Sequence, residues 1–374
     1  MTERLAALMH HEADALDIPP VSTDRLLTAG HRARRRRRMA EGLGTVAVLA
    51  VVGGGVVLAT SLAGDDSVRD IGPADPSTGH GAVFTLGTTV YWDGGAEHAS
   101  IDDKAIKSTY YTSAGLLVRH GNNNASDGGG PQRFSLVTPD GTVEPISVVT
   151  EEVVPGVDPT QPYLAYAEVV DGEVQVVVHD LATDEEVARV PVPDAKKWGG
   201  WTAPPVALSG DTVYVGTDDV MRTVDWRTGA VGTTDTVPGG YPDIKGGRAV
   251  TVDRDRGTAR VVDVVTGDVL LEVDAGLTGY LQLSPDGRFA SMSAEDGKTV
   301  DVYDVEAGTH ITLNGQSWDY GWSPDSDLFR VKGRHVIDCS TSTGECTTGD
   351  VTIPEEGGGV APTDLRYGNQ TFES

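Results

Sequence analysis

Only two of the 374 residues are cysteines, Cys339 and Cys346, and beyond residue 63 the chain is short of positive charge. Residues 64–374 hold 21 Lys or Arg against 50 Asp or Glu, a formal charge of −29. Affinity for nucleic acid rests on Lys and Arg neutralising phosphates, so this acidity excludes nucleic acid as a partner of that region. Its general consequence is solubility. The motifs of several common chemistries are missing as well: there is no G-x-S-x-G nucleophile turn, no H-E-x-x-H zinc pair and no G-x-x-x-x-G-K-[ST] phosphate loop. His80, His98, His120, His179, His310 and His335 are scattered, and each is expected to be a strand or loop residue. No metal or other cofactor is expected. The stretch Asp253-Arg254-Asp255-Arg256-Gly257 lacks the third oxygen ligand and the distal Glu of a calcium loop, so a plain hairpin turn is expected there.

One long apolar run is present. Gly42 to Ala63 are 22 uncharged residues rich in Val, Leu, Ala and Gly, long enough as a helix to cross a hydrocarbon core of about 30 Å. Arg32, Arg34, Arg35, Arg36, Arg37 and Arg38 precede it, and Asp65 and Asp66 follow. Basic residues beside a span stay on the cytoplasmic side, which places the N-terminus inside and the C-terminal region outside. A cleaved signal peptide, cut after Ser61-Leu62-Ala63, is the alternative. The long basic region before the run and the length of the run itself favour an uncleaved anchor. The expected organisation is a short cytoplasmic basic tail (1–38), a transmembrane helix (39–63), a flexible linker (64–79) and an extracytoplasmic domain (80–374). The tail ending in an Arg cluster before a Gly/Ala/Val-rich span resembles that of some actinobacterial membrane proteins, including relatives of anti-sigma factors.

Beyond the linker a single device recurs. An apolar strand ends near an Asp, a tight turn containing Gly follows, and a second apolar strand returns. The clearest units are Asp225 to Gly229, Asp263 to Gly267 and Asp304 to Gly308; Asp180 to Asp184 and Ser340 to Gly344 fill the same frame, and Asp93-Gly94 and Asp140-Gly141 supply related turns. Asp at the start of a turn accepts hydrogen bonds from amides two or three residues on, and Gly takes positive φ without a Cβ clash. Seven such turns recur at intervals of 36 to 47 residues, the length of a four-stranded propeller blade. A second landmark precedes several of them. Ser284-Pro285-Asp286-Gly287 and Ser323-Pro324-Asp325 place a turn between the first two strands of a unit, and Leu208 to Asp211 and Ile244 to Gly247 occupy the same phase without Pro.

The pair SPDGRFASMS (284–293) and VDVYDVEAG (300–308) resembles the WD40-like and TolB-like propeller repeats, and the D-x-x-T-G turns also resemble those of quinoprotein-like propellers. The resemblance covers about residues 80–374 and implies an architecture shared by many functions. No Trp-Asp pair ends the third strands in the manner of the WD40 repeat; Trp92-Asp93 alone has it within a recognisable hairpin. The expected fold is all-β, a seven-bladed β-propeller preceded by a single transmembrane helix, with a six-bladed ring carrying an N-terminal β extension as the alternative. Closure needs a strand from one end to complete the blade at the other. Asp364 to Gly368 can supply it to a first blade, Val83 to Ile101, that looks one strand short.

Cys339 and Cys346 flank the turn at Ser340 to Gly344, so a cross-strand disulfide is expected in an oxidising compartment. The polar loop Gly121 to Gly130, GNNNASDGGG, either contributes to a binding face or simply connects strands. These features favour a membrane-anchored binding scaffold for an extracytoplasmic protein, peptide or glycan. The alternatives are a propeller hydrolase or lactonase with a metal site in the central channel, and a transmembrane sensor whose cytoplasmic tail holds a regulator.

Overall fold

The computed structural model describes residues 82–123, 129–276, 281–351 and 365–368. The tail, the apolar run and the linker, with Arg32 and Arg34 to Arg38, lie outside the described residues. Among the described residues no helix is long and apolar enough to cross a membrane.

Seven antiparallel sheets follow one another along the chain. Blade 2 shows the pattern, with Ala105–Thr112, Gly115–Gly121, Gln132–Val137 and Val143–Thr150 paired in that order. Its first strand is buried throughout, whereas its last alternates between exposed and buried residues, so the first strand is innermost and the last faces solvent. Blade 3 comprises Gly156–Val157, Tyr163–Val170, Glu173–Asp180 and Glu185–Val192, and blade 4 comprises Val206–Ser209, Thr212–Gly216, Met221–Asp225 and Ala230–Thr234. Blade 6 is built from Gln282–Leu283, Phe289–Ser293, Thr299–Asp304 and His310–Asn314. Blade 7 is built from Gly321–Trp322, Leu328–Lys332, His335–Cys339 and Cys346–Asp350.

Blade 5 has three strands, Arg248–Asp253, Thr258–Asp263 and Val269–Asp274. The segment Tyr241 to Lys245 takes the innermost place and pairs with the sheet only at the isolated bridge of Lys245 with Arg248. Pro242 has no amide hydrogen to give to a ladder, which keeps this segment from becoming a strand.

The expected turns all lie between the last two strands of their blades, at one face of the ring. In three of them the leading carboxylate accepts the amides two and three residues on: Asp225 from Arg227 and Thr228, Asp263 from Val265 and Thr266, and Asp304 from Glu306 and Ala307. The amides of Gly229, Gly267 and Gly308 then bond back to the carbonyls of the same aspartates. Gly267 has φ +77°, where a side chain would be strained. Asp286 accepts from Arg288 N–H, and the amide of Gly287 closes the Ser284 turn between the first two strands of blade 6. Asp253 to Gly257 is a plain hairpin turn between the first two strands of blade 5.

Apolar clusters fill the joints between consecutive blades in turn: 1 with 2, 2 with 3, 3 with 4, 4 through 6, and 6 with 7. The last joint closes the ring. Arg366–Tyr367 pairs with Phe84–Leu86 as the innermost strand of blade 1, ahead of Thr89–Trp92 and Glu97–Ser100. Tyr367 also packs with Phe329 of blade 7, edge to face at 5.3 Å, and its hydroxyl accepts the Val331 amide. Tyr111 of blade 2 donates to the Trp322 carbonyl of blade 7. Burial foremost, with Asp325 nearby, holds the Tyr111 phenol well above its ordinary range, so it remains a donor. Cys339 and Cys346 face each other across blade 7 and are joined by a disulfide.

Candidate functional site

The innermost strands of blades 2, 3 and 4 and the Tyr241 to Lys245 segment line a small recess that opens to solvent. Inner strands pack closely here. A Cβ on Gly156 would come within 2.6 Å of the Ala207 backbone. Tyr110, Tyr241, Pro155, Pro159 and Pro242 give the recess rigid apolar walls. Its charged groups are Asp243 and Lys245, which project together because they are two residues apart on an extended segment. They approach to 3.9 Å and are only 15% and 12% exposed. Trp201 stacks obliquely on Tyr241, with ring centroids 6.1 Å apart, and supports that wall. The recess therefore offers aromatic and proline surface with one charge of each sign, the composition of a small-molecule pocket.

A second polar group lies at the joint of blades 1 and 2. His120 Nε2 is 2.9 Å from Ser135 Oγ, and His120 Nδ1 is 2.6 Å from Asp103 Oδ2. This order of hydroxyl, imidazole and carboxylate is that of a nucleophilic triad. Its surroundings are different. Ser135 is 5% exposed and His120 6%, and Arg133 grips Asp103 through Nε and Nη2 at 2.8 and 2.9 Å. Burial raises the Asp103 carboxyl, but hydrogen bonds from His120, the Lys104 amide and Arg133 outweigh it, and the net shift is downward. Asp103 belongs to the connection that leaves blade 1, and the other three side chains stand on the second and third strands of blade 2. The group is a strut between blades, with its serine closed off from any substrate.

A comparable joint holds blades 5 and 6. Arg248, 1% exposed, donates to the Gly287 carbonyl and the Glu306 carboxylate. Burial lowers the affinity of its guanidinium for a proton, opposed by Glu306, Asp286 and Asp263. Asp263, Asp286 and Gly287, expected only as turn residues, thus converge on one buried cation, whereas Asp225, Gly229, Asp304, Gly308 and Gly267 act locally. Among the histidines, His179 binds Asp184 at 2.8 Å, His335 binds Asp350 at 2.7 Å, and His98 and His310 lie against Tyr91 and Tyr303. The described ends of the Gly121 to Gly130 loop are tied down, since Asn123 Oδ1 accepts the buried Lys107 ammonium and Asn122 bonds the Gly129 carbonyl. His80 lies outside the described residues. Among the described residues no three His, Cys, Asp or Glu side chains gather where they could hold a metal ion.

The fold defines the chain as a seven-bladed β-propeller closed by a C-terminal inner strand. No family model matches the chain, and no curated protein does. Solved structures resemble it distantly. The periplasmic gluconolactonase of Pseudomonas aeruginosa is 15% identical, with a TM-score of 0.44 over 76% of this chain and 98% of that one. A putative 6-phosphogluconolactonase of Bacteroides fragilis is 13% identical, with a TM-score of 0.43 over 81% and 99%. TolB from Acinetobacter baumannii is 14% identical, with a TM-score of 0.41 over 63% and 64%. At these identities and scores nothing about substrate or site passes to this chain.

Proposed function

We propose that the chain is a membrane-anchored, extracytoplasmic binding module whose ligand enters the recess at the inner strands of blades 2 to 5. The observation that supports it is the recess wall: rigid Tyr and Pro surface around a single pair of opposite charges. Gly42 to Ala63 is the anchor in this reading, with Arg32 and Arg34 to Arg38 on the cytoplasmic side. The disulfide in blade 7 supports an oxidising compartment.

Two experiments test it. Binding of peptides, glycans and small metabolites to the detergent-solubilised full-length chain is compared with binding to a Tyr241→Ala variant; a ligand lost in the variant supports the reading, and ligands indifferent to Tyr241 overturn the assigned site. For topology, a cysteine placed at Val265, which is 81% exposed, is treated with a membrane-impermeant maleimide in intact cells. Labelling is expected, and protection until lysis overturns the outside placement.

The same ion pair favours one second reading, a lactone hydrolase. Asp243 would draw the proton from water, and Lys245 would stabilise the oxyanion that forms on the lactone carbonyl. Turnover of a lactone that is lost in Asp243→Asn selects this reading over binding alone.

A further inference from the structure

Asp243 and Lys245 form a loose ion pair at the recess. Each is largely withdrawn from water, yet their separation of 3.9 Å is beyond hydrogen-bond reach. Among the described residues neither side chain has another hydrogen bond or ion pair. A charge held away from water is stable when it is both paired and hydrogen-bonded. Here the ammonium keeps donors and the carboxylate keeps acceptors that the protein does not fill. Both side chains leave the same side of a segment that Pro242 stiffens, so their spacing is set in advance of any ligand.

We infer that the recess takes a compact zwitterion of the α-amino-acid type, read by Lys245 and Asp243 together; the inference rests on the binding reading above. The ligand carboxylate lies on the Lys245 ammonium and the ligand ammonium on the Asp243 carboxylate, so four charges alternate in sign and every pair of neighbours attracts. A dicarboxylate would set like charge against Asp243, and a diamine would do so against Lys245. A neutral sugar would bring neither ion a new counter-charge. The wider field separates the zwitterion from the dicarboxylate alone. A domain of formal charge −29 repels free anions but exerts no net force on a neutral zwitterion.

The test is calorimetric titration of the full-length chain in detergent with glycine, L-alanine and L-serine, and with succinate, putrescine and glucono-δ-lactone. The amino acids are expected to bind and the other three to bind more weakly or not at all. Asp243→Asn and Lys245→Met are each expected to weaken amino-acid binding by about tenfold or more. The exchanged pair, Asp243→Lys with Lys245→Asp, restores binding with the ligand reversed, and it keeps the proposal testable should a single variant fail to fold. Amino-acid binding that survives both single variants overturns the proposal. Binding of the lactone alone, lost in Tyr241→Ala, overturns the zwitterion and leaves the binding module intact. No binding from any class overturns both.

Discussion

Asp103 accepts from a histidine, an arginine and a backbone amide at once, which makes it the most heavily bonded carboxylate at the joint of blades 1 and 2. Its side chain is 7% exposed, so these bonds form where water competes little. Asp103→Asn keeps the shape and removes the charge, and is expected to cost about 1.5–3 kcal/mol, the range for hydrogen bonds to a charged group. The pH dependence has a definite sign. The folded carboxyl sits below its ordinary value, so its contribution is whole above about pH 4 and is lost as the pH falls through the lowered folded value. Melting temperatures of wild type and Asp103→Asn should therefore differ at pH 7 and converge towards pH 3; a constant gap would show that the charge is not what stabilises the joint. A fluorophosphonate that marks nucleophilic serines should leave Ser135 unlabelled in the folded chain, because the hydroxyl is closed off. Labelling at Ser135 would turn the strut into a catalytic group.

At the scale of the strand, ring closure rests on very little ladder. Arg366–Tyr367 contributes two register pairs to blade 1, so the side chain of Tyr367, packed among Phe84, Phe329 and Val336, must supply most of the hold. Tyr367→Ala is expected to cost about 3–5 kcal/mol, as for other buried aromatics. That corresponds to a fall of roughly 10 °C in Tm by calorimetry. An unchanged Tm would mean that the ring closes without this strand. The closing strand was legible in the sequence, because the first blade lacked one strand and the stretch Asp364 to Gly368 stood near the C-terminus. The three clearest turns were legible for a local reason: an Asp that binds the next amides and a Gly with positive φ act within five residues. The strut was not. His120 and Ser135 meet only because the register sets His120 opposite Arg133, which places Ser135 on the same face two residues on. Counting that register inward from the GNNNASDGGG loop was the one available signal, and Asp103 had none, since it reaches His120 from the preceding blade. Asp243 and Lys245 were hidden for a different reason. Their segment runs into the stretch Ile244 to Gly247, read as the turn between the first two strands of a unit, and only ring closure brings it opposite the inner strands of blades 2 to 4.

Over the whole molecule, the dominant long-range force is self-repulsion. Residues 64–374 hold 50 acidic against 21 basic residues, and the ion pairs of the described region mostly involve exposed groups such as Arg227 with Asp211 and Lys196 with Asp194. Exposed pairs of this kind contribute about 0–1 kcal/mol each, too little to offset the excess of like charge. Salt weakens interactions between exposed charges, with a screening length of about 10 Å at 0.1 M and about 3 Å at 1 M. Repulsion among the many carboxylates is thereby reduced more than the few attractive pairs are, and the buried bonds to Asp103 and Arg248 are screened least. Tm should therefore rise as NaCl goes from about 0.01 M to about 0.2 M, the reverse of what a protein held together by surface ion pairs would show. CaCl₂ or MgCl₂ at matched ionic strength should do no more than NaCl, because no cluster of ligating side chains gathers among the described residues. A fall in Tm with salt would mean that attraction outweighs repulsion across the surface. A rise specific to a divalent ion would locate a metal site and move the channel towards metal-assisted chemistry.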